Sequence, residues 1–471
     1  MSYIIILGPI LGSFVYLVYA LILHPLFFSP LSRIPFAHPL AITPWWIKYH
    51  RRNGSQALRI IRAAHERYGP IVRLTSTEVS LNSYEGGHKI YVERGGFAKP
   101  MCRNLVSMVG GPNDKAHAGR KRDMGNIYSK SLLVISPHLR TIASTLLSRL
   151  TSELDRIVTG EEKGVTDVFN LNGAVNADFA AAYLFGLRCG TQFIADREKR
   201  EVFFRQHGIF LGGEKGYKAA QRWVEKYMLE RCEAAGRVQE KHEKNEAAVV
   251  YGQLTNRGVL GNDLASEVLD HLIAGSEAPR TICTYMQWEL SRDPTLQARL
   301  RQELQTLSLP SSTELVPDLK ALDALPLLDA ILTETLRVYT VTPGPQWRIV
   351  PPEGTTLHGV FIPGGVIIHV SLGVLHRNEN VFPDCGEWKP ERWLIRDQAK
   401  LDQMRRNWWP FNKGPRVCIG KDFTLLVMKL FMATVYARYN TSVVGDNDMR
   451  QDDKFLGQPE GKSLVLRFER V

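Results

Sequence analysis

The chain has 471 residues, 44% of them hydrophobic, and a formal net charge of +11. That is enough apolar content for a large core, and the basic balance would suit nucleic acid, an anionic membrane surface or acidic partners. No basic tract is interleaved with aromatics, which argues against nucleic acid, and the six cysteines form no CxxC pair, which argues for a reducing compartment and against a disulfide framework or structural zinc.

The first element in the chain is an apolar run. Tyr3 to Leu23 has no charged side chain, and as a helix at ~1.5 Å per residue it would span ~30 Å, the thickness of one bilayer core. A cleaved signal peptide would need a basic start, where this chain has only Met-Ser. Residues 1–23 therefore read as a transmembrane anchor. Residues 24–50 read as a stiff proline-rich neck, since Pro25, Pro30, Pro35 and Pro39 should not continue a helix. The basic residues Arg33, Lys48, Arg51 and Arg52 follow the span, so the body, residues 51–471, should face the cytosol.

Within the body, Ala57 to Tyr68 reads as a helix ended by Gly69-Pro70, and Ile71 to Leu81 as strands. Helical spacing then dominates from Ala116 to about Leu336, as in Ser136 to Leu150 and the charged Glu225 to Asn245. Residues 246–261 read as a glycine-rich polar loop. Asp263 to Arg292 is a long amphipathic helix, with Leu264, Val268 and Leu272 spaced by four. Short β-like segments follow. The chain ends with a helix and two strands, Thr441 to Val444 and Ser463 to Phe468. The fold class is mainly α with minor sheet.

The strongest chemical signal is Phe411-Asn412-Lys413-Gly414-Pro415-Arg416-Val417-Cys418-Ile419-Gly420. Two glycines let the backbone approach a flat cofactor or take positive φ. Arg416 can lower the thiolate pKa or pair with a carboxylate. Apolar periodicity resumes at Phe423, so Cys418 precedes a helix N-terminus, where free N–H groups stabilise a thiolate. A single thiolate on iron fits this pattern better than an inert buried cysteine.

F-x-x-G-x-R-x-C-x-G resembles the haem-binding signature of the cytochrome P450 family. Glu334-Thr335-Leu336-Arg337 resembles the family's E-x-x-R. Pro390-Glu391-Arg392-Trp393 resembles the segment whose arginine completes a buried Glu334–Arg337–Arg392 network. Pro345-Gln346-Trp347-Arg348 resembles a strand whose arginine meets a haem propionate. In the run from His117 to Ser129, His117 and Lys121 fall where the family contacts a propionate, while Arg120 and Arg122 read as a solvated face. The neck and His65 to Pro70 resemble microsomal, fungal-type members.

The resemblance implies a large helical body with a small β-rich subregion and haem b ligated by Cys418. It also implies electrons from NADPH through a cytochrome P450 reductase, with cytochrome b5 as a further donor, at the endoplasmic reticulum. It implies oxygen insertion into a lipophilic small molecule. Lys99 to Gly111, Phe203 to Gly213, Leu272 to Ser276 and Val341 to Gln346 would line its pocket, and a fungal terpenoid or polyketide pathway is the expected setting.

The distal helix departs from the family's A-G-x-[DE]-T-T. It reads Ala274-Gly275-Ser276-Glu277-Ala278-Pro279, so the acid stays but the threonine pair is lost. Pro279 lacks an N–H, so a local opening at 275–279 is expected, with the Gly275 carbonyl holding a water beside Ser276 and Glu277 delivering protons. Loss of the threonine also suits a haem-thiolate isomerase or dehydratase that needs no reductase. A non-catalytic haem sensor is a further alternative, which Glu277 argues against. A membrane-tethered helical protein without haem is the remaining one.

Overall fold

The structure is a computed structural model that describes residues 2–52, 57–100, 114–212, 215–240, 248–307 and 316–471. Helix α1 (Ser2–Val18) is not followed by a break before Pro25. It continues as a π-helical turn through Tyr19–Phe28 with Pro25 inside it, closed by Ser29 N–H donating to the His24 carbonyl at 2.8 Å. This corrects the expected helix end, because the wider π turn eases the clash a proline ring makes with the carbonyl four residues back. Ile10–Phe28 is long and apolar enough to cross a membrane and is almost wholly uncovered by the rest of the protein.

After two 3₁₀ turns come α2 (Pro44–Arg52), α3 (Ala57–Tyr68), β1 (Ile71–Thr75), β2 (Glu78–Leu81) and α4 (Tyr84–Tyr91). Pro35–Ala37 lies along β1, with Arg73 N–H donating to the Pro35 carbonyl at 2.8 Å and Ala37 N–H to the Arg73 carbonyl at 2.9 Å. The Arg73 side chain is fully buried and, among the described residues, meets no carboxylate. Its guanidinium donates to the carbonyls of Thr75 (3.1 Å), Pro25 (2.8 Å) and Ser76 (2.9 Å), and it lies 4.5 Å from the Phe36 ring. Burial pushes it down to about 10. This one cation ties the end of the membrane-type helix to the first strand.

The helical body follows: α5 (Asp114–Asp123), α6 (Lys130–Leu133), α7 (Pro137–Thr159), α8 (Val168–Phe185), α9 (Arg197–Gly212), α10 (Tyr217–Glu240), α11 (Val249–Asn256) and α12 (Gly261–Ser291). Ser136 caps α7 by accepting from Leu139 N–H at 3.2 Å. Helix α8 is buried on every face and packs along α12, as an apolar-all-round helix must. The expected loop at 246–261 contains α11. Val250, Tyr251 and Leu254 are buried at helical spacing in the main core, and Gly252 sits in open space, where it costs little. Residues 241–245 of the charged segment lie outside the described residues.

The chain continues through α13 (Pro294–Leu304), α14 (Leu319–Asp323), α15 (Pro326–Val338), β4 (Arg348–Ile349), β5 (Thr355–Leu357), β6 (Val360–Ile362), β7 (Ile367–Val370), α16 (Leu372–Leu375), α17 (Gln398–Asn407), α18 (Lys421–Tyr436), β8 (Tyr439–Gly445) and β9 (Val465–Arg470). Strands β1-β2-β7-β4 form one sheet, with β2 and β7 parallel and the other pairs antiparallel. A second sheet, β3-β9-β8, uses β3 (Val165–Asp167) to close the far end, and β5-β6 is a hairpin. Helix thus dominates, with the smaller β lobe built from both the N-terminal strands and residues 348–370.

Arg73→Met keeps the apolar stem but strands three buried carbonyls, so it should destabilise the fold by about 3 kcal/mol. Urea melts followed by circular dichroism, with limited proteolysis of residues 24–37, check both the loss and its location.

Candidate functional site

Cys418 leaves the 3₁₀ turn Gly414–Arg416 and precedes α18. Its N–H donates to the Phe411 carbonyl at 3.0 Å, which closes the loop, and the Gly420 N–H donates to its sulfur. Burial raises the thiol pKa, against the pull of that N–H and of Lys121 and Lys421. Cys418 lies deep in the fold, yet its side chain is exposed, which sets the sulfur at the wall of an internal cavity.

Gly414 has φ +75°, and a Cβ there would lie 1.8 Å from the Tyr91 carbonyl oxygen. The close approach of α4 therefore requires a glycine here. Gly420 differs: only Thr424 comes within 4 Å of a Cβ built there, which leaves its face open.

His117 and Lys121 stand one turn apart on α5 and line a cavity of about 330 Å³ together with Arg122, Arg348 and Arg416. Lys121 Nζ donates to the Pro415 carbonyl at 3.1 Å, which ties α5 to the cysteine loop. Burial lowers its pKa, against the pull of Cys418. Arg348 is buried on β4, 4.6 Å from the Tyr91 ring. Arg122 thus belongs to this lining, and Arg120 pairs with Asp263 (3.1 Å) and Glu267 (3.7 Å) on α12. Neither is simply a solvated face.

The donor set suits a flat group with two carboxylates. Four permanent cations and a histidine converge, and a carboxylate in a partly dry site needs such partners. A sulfur beside an open glycine face could ligate an iron, so the residues fit haem, which Cys418 and these cations would hold.

Helix α12 is continuous from Gly261 to Ser291. The expected opening at 275–279 does not interrupt the helix, although Pro279 supplies no N–H to the Gly275 carbonyl. The segment packs closely on α8: a Cβ on Gly275 would lie 2.9 Å from Ala180. His271, Ala274, Gly275 and Ala278 form its uncovered stripe. His271 stacks on Tyr128 (5.5 Å, with Nδ1 2.9 Å from the Tyr128 hydroxyl), and Tyr128 is edge-on to Phe423 of α18 at 6.0 Å. The stripe therefore faces the cysteine side.

Ser276 and Glu277 do not lie on that stripe. Ser276 Oγ donates back to the Ile273 carbonyl at 3.2 Å. Glu277 is buried and accepts from His207 Nδ1 (2.9 Å), Gln458 Nε2 (2.8 Å) and Arg280. Burial alone would raise its carboxyl, but the Arg280 charge and the bonds from His207 and Gln458 outweigh that and hold it at about 2. Of the expected pocket segments, residues 101–111 and 213 lie outside the described residues.

Behind the loop, Glu334, Arg337 and Arg392 form one network. Arg337 donates to Glu334 through Nε (2.9 Å) and Nη2 (2.8 Å), and Arg392 Nε and Trp393 Nε1 reach the same carboxylate at 2.9 Å each. Burial opposes charge on Glu334, yet these donors keep its pKa below the ordinary value.

Arg337 also donates to the carbonyls of His376 (2.9 Å), Cys385 (2.7 Å) and Glu387 (2.9 Å). The His376 ring continues the chain, with Nε2 2.7 Å from Trp409 N and Nδ1 2.5 Å from Thr340 Oγ1. A backbone N–H can only donate, so Nε2 accepts and Nδ1 carries the proton. His376, Trp409 and Tyr91 carry no sequence motif. Their buried partners come from distant segments, so no local pattern marks them.

A family model described as Cytochrome P450 matches residues 215–466. The chain is similar to Cytochrome P450 monooxygenase hkm5 of Aspergillus hancockii, 25% identical over 94% of this chain and 92% of that one. It is similar to tazI of Aspergillus terreus, 26% identical over 94% and 95%. It is also similar to stcB of Emericella nidulans, 27% identical over 93% and 89%. Both of these are likewise described as cytochrome P450 monooxygenases.

Gly414→Ala should abolish correct closure of the cysteine loop while leaving helix content intact, because its Cβ would overlap the Tyr91 carbonyl. Haem content per chain, set against far-ultraviolet circular dichroism, checks it. Burial pushes His376 down to about 3 from 6.5. Between those values the unfolded chain binds the extra proton, so stability is full above about pH 6.5 and falls as pH drops toward 3. In urea melts across that range, His376→Gln should lower stability at neutral pH and flatten the acid slope.

Proposed function

The chain belongs to the cytochrome P450 family, and on that footing we propose that it is a haem-thiolate monooxygenase that inserts an oxygen atom from O2 into a lipophilic small molecule. The observation that carries the reading is the Cys418 sulfur, held by the Gly420 N–H beside Lys121, which with His117, Arg348 and Arg416 lines a neighbouring cavity. In this reading Cys418 ligates the iron and the cations receive the propionates. Phe411, Gly414 and Gly420 shape the loop, and Glu334, Arg337 and Arg392 brace it. When bound, haem supplies the oxygen activation, which thiolate electron density favours.

The protein's own part is orientation and exclusion of water. Ala274 and Ala278 give the cysteine-facing side of α12 small apolar side chains, which suits a lipophilic substrate. Two electrons would come from NADPH through cytochrome P450 reductase, with cytochrome b5 as a further donor. Helix α1 and its π-helical extension would hold the enzyme in the endoplasmic reticulum membrane. Arg33, Lys48, Arg51 and Arg52 beyond the span favour a cytosolic body. The fungal relatives support a secondary-metabolite setting, terpenoid or polyketide.

One observation favours a second reading. The described stripe on α12 offers His271 but no hydroxyl or carboxyl opposite Cys418, as a haem-thiolate isomerase or dehydratase would tolerate. Incubation with reductase, NADPH and a panel of terpenoid and polyketide intermediates separates the two. A mass gain of one oxygen supports the monooxygenase, and an isomeric or dehydrated product formed without NADPH overturns it. Cys418→Ser should remove the red-shifted Soret band of the reduced carbon monoxide complex and all product, as absorbance and mass spectrometry will show.

A further inference from the structure

We infer that Glu277 is a positioning residue that fixes the shape of the substrate pocket by clasping α9, α12 and the 451–459 hairpin, and that it does not hand protons into the cavity. The inference rests on the proposed monooxygenase reading for what the pocket is, but the clasp itself is geometric.

Its partners come from three elements. His207 lies on α9, Arg280 one turn along α12, and Gln458 on the hairpin that pairs Gln451 with Pro459. The hairpin is itself bound to another expected pocket segment. Gly457 N–H donates to the Val341 carbonyl at 2.6 Å, and Gln451 Nε2 to the Thr340 carbonyl at 3.0 Å. Helix α8 closes the fourth side. Arg280 lies 4.3 Å from the Phe169 ring and 4.8 Å from the Phe204 ring, and a Cβ on Gly173 would meet Phe204 at 2.6 Å and Arg280 at 2.7 Å.

Two features separate this node from a proton relay. His207, Glu277 and Arg280 are almost fully buried, and their polar atoms turn to one another and to Gln458 rather than to the Ala274–Ala278 stripe. Both carboxylate oxygens are already accepting: Oε1 from His207 and Oε2 from Arg280 and Gln458. Among the described residues, the His207 ring bonds through Nδ1 alone, to Glu277.

The test uses full-length, haem-loaded enzyme in membranes and compares wild type with Glu277→Gln, His207→Phe and Gln458→Leu. The red-shifted carbon monoxide band first certifies the haem site. Its absence from wild type would overturn the monooxygenase reading and leave the clasp to be judged by exchange alone. Amide hydrogen exchange should then rise about tenfold in both α9 and 451–459 for every variant, including elements the substitution does not touch. Binding of 4-phenylimidazole, read spectrally, should weaken about tenfold, or roughly 1.4 kcal/mol. The solvent deuterium isotope effect on reductase-driven NADPH oxidation should stay unchanged. Exchange confined to the mutated element, or Glu277→Gln changing the isotope effect with exchange and binding intact, overturns the proposal. If Glu277→Gln takes up no haem, the other two variants decide it.

Discussion

A guanidinium with no exposed surface must be answered by everything around it, and Arg337 is answered by Glu334 on its own helix and by three carbonyls from residues 376–387. A lone buried charge is prohibitive, while one with a carboxylate and a full set of acceptors is tolerated and has only one arrangement in which it is satisfied. The cysteine loop inherits that arrangement. The carbonyl of His376 takes an Arg337 proton, its ring takes the Trp409 amide, and Trp409 lies two residues before Phe411, which closes the loop on Cys418. The position of the sulfur is thus decided by a charge on another helix.

Parts of this were legible beforehand and parts were not. Glu334 and Arg337 share a helix face by spacing, and Cys418 sits among glycines, so local pattern alone raises them. Helix α3 keeps the limits its apolar spacing and Gly69-Pro70 set. Residues 246–261 misled because Gly252 and the polar flanks outweigh a short helix whose stability comes from burying Val250, Tyr251 and Leu254. Pro25 and Pro279 misled in the same direction. Each removes one N–H, which local reasoning treats as a break, but a wider turn absorbs the first and close packing with α8 absorbs the second. His207 and Gln458 were illegible, because their relation to Glu277 exists only once three distant segments have met.

The distal helix shows how one acid can change employment. With Ala278 in place of a hydroxyl residue, the position after Glu277 offers no alcohol, and the neighbouring Ser276 hydroxyl is turned back to the Ile273 carbonyl. Its surroundings instead supply Arg280, His207 and Gln458, which hold it ionised and turned from the stripe that faces Cys418. Ala274 and Ala278 then leave that stripe apolar, while the cations gather around the cavity lined by α5, β4 and the cysteine loop.

The close approach of Gly414 to the Tyr91 carbonyl bears on how the protein is made. Tyr91 is itself held by residues far along the chain, since its hydroxyl accepts from the Val370 N–H and its ring packs on Trp409. The left-handed turn at Gly414 is therefore shaped against a surface that its own distant neighbours complete. Contacts of such long sequence separation are slow to form. The shape of the cysteine loop thus belongs to the whole fold and not to the ten residues that spell its motif.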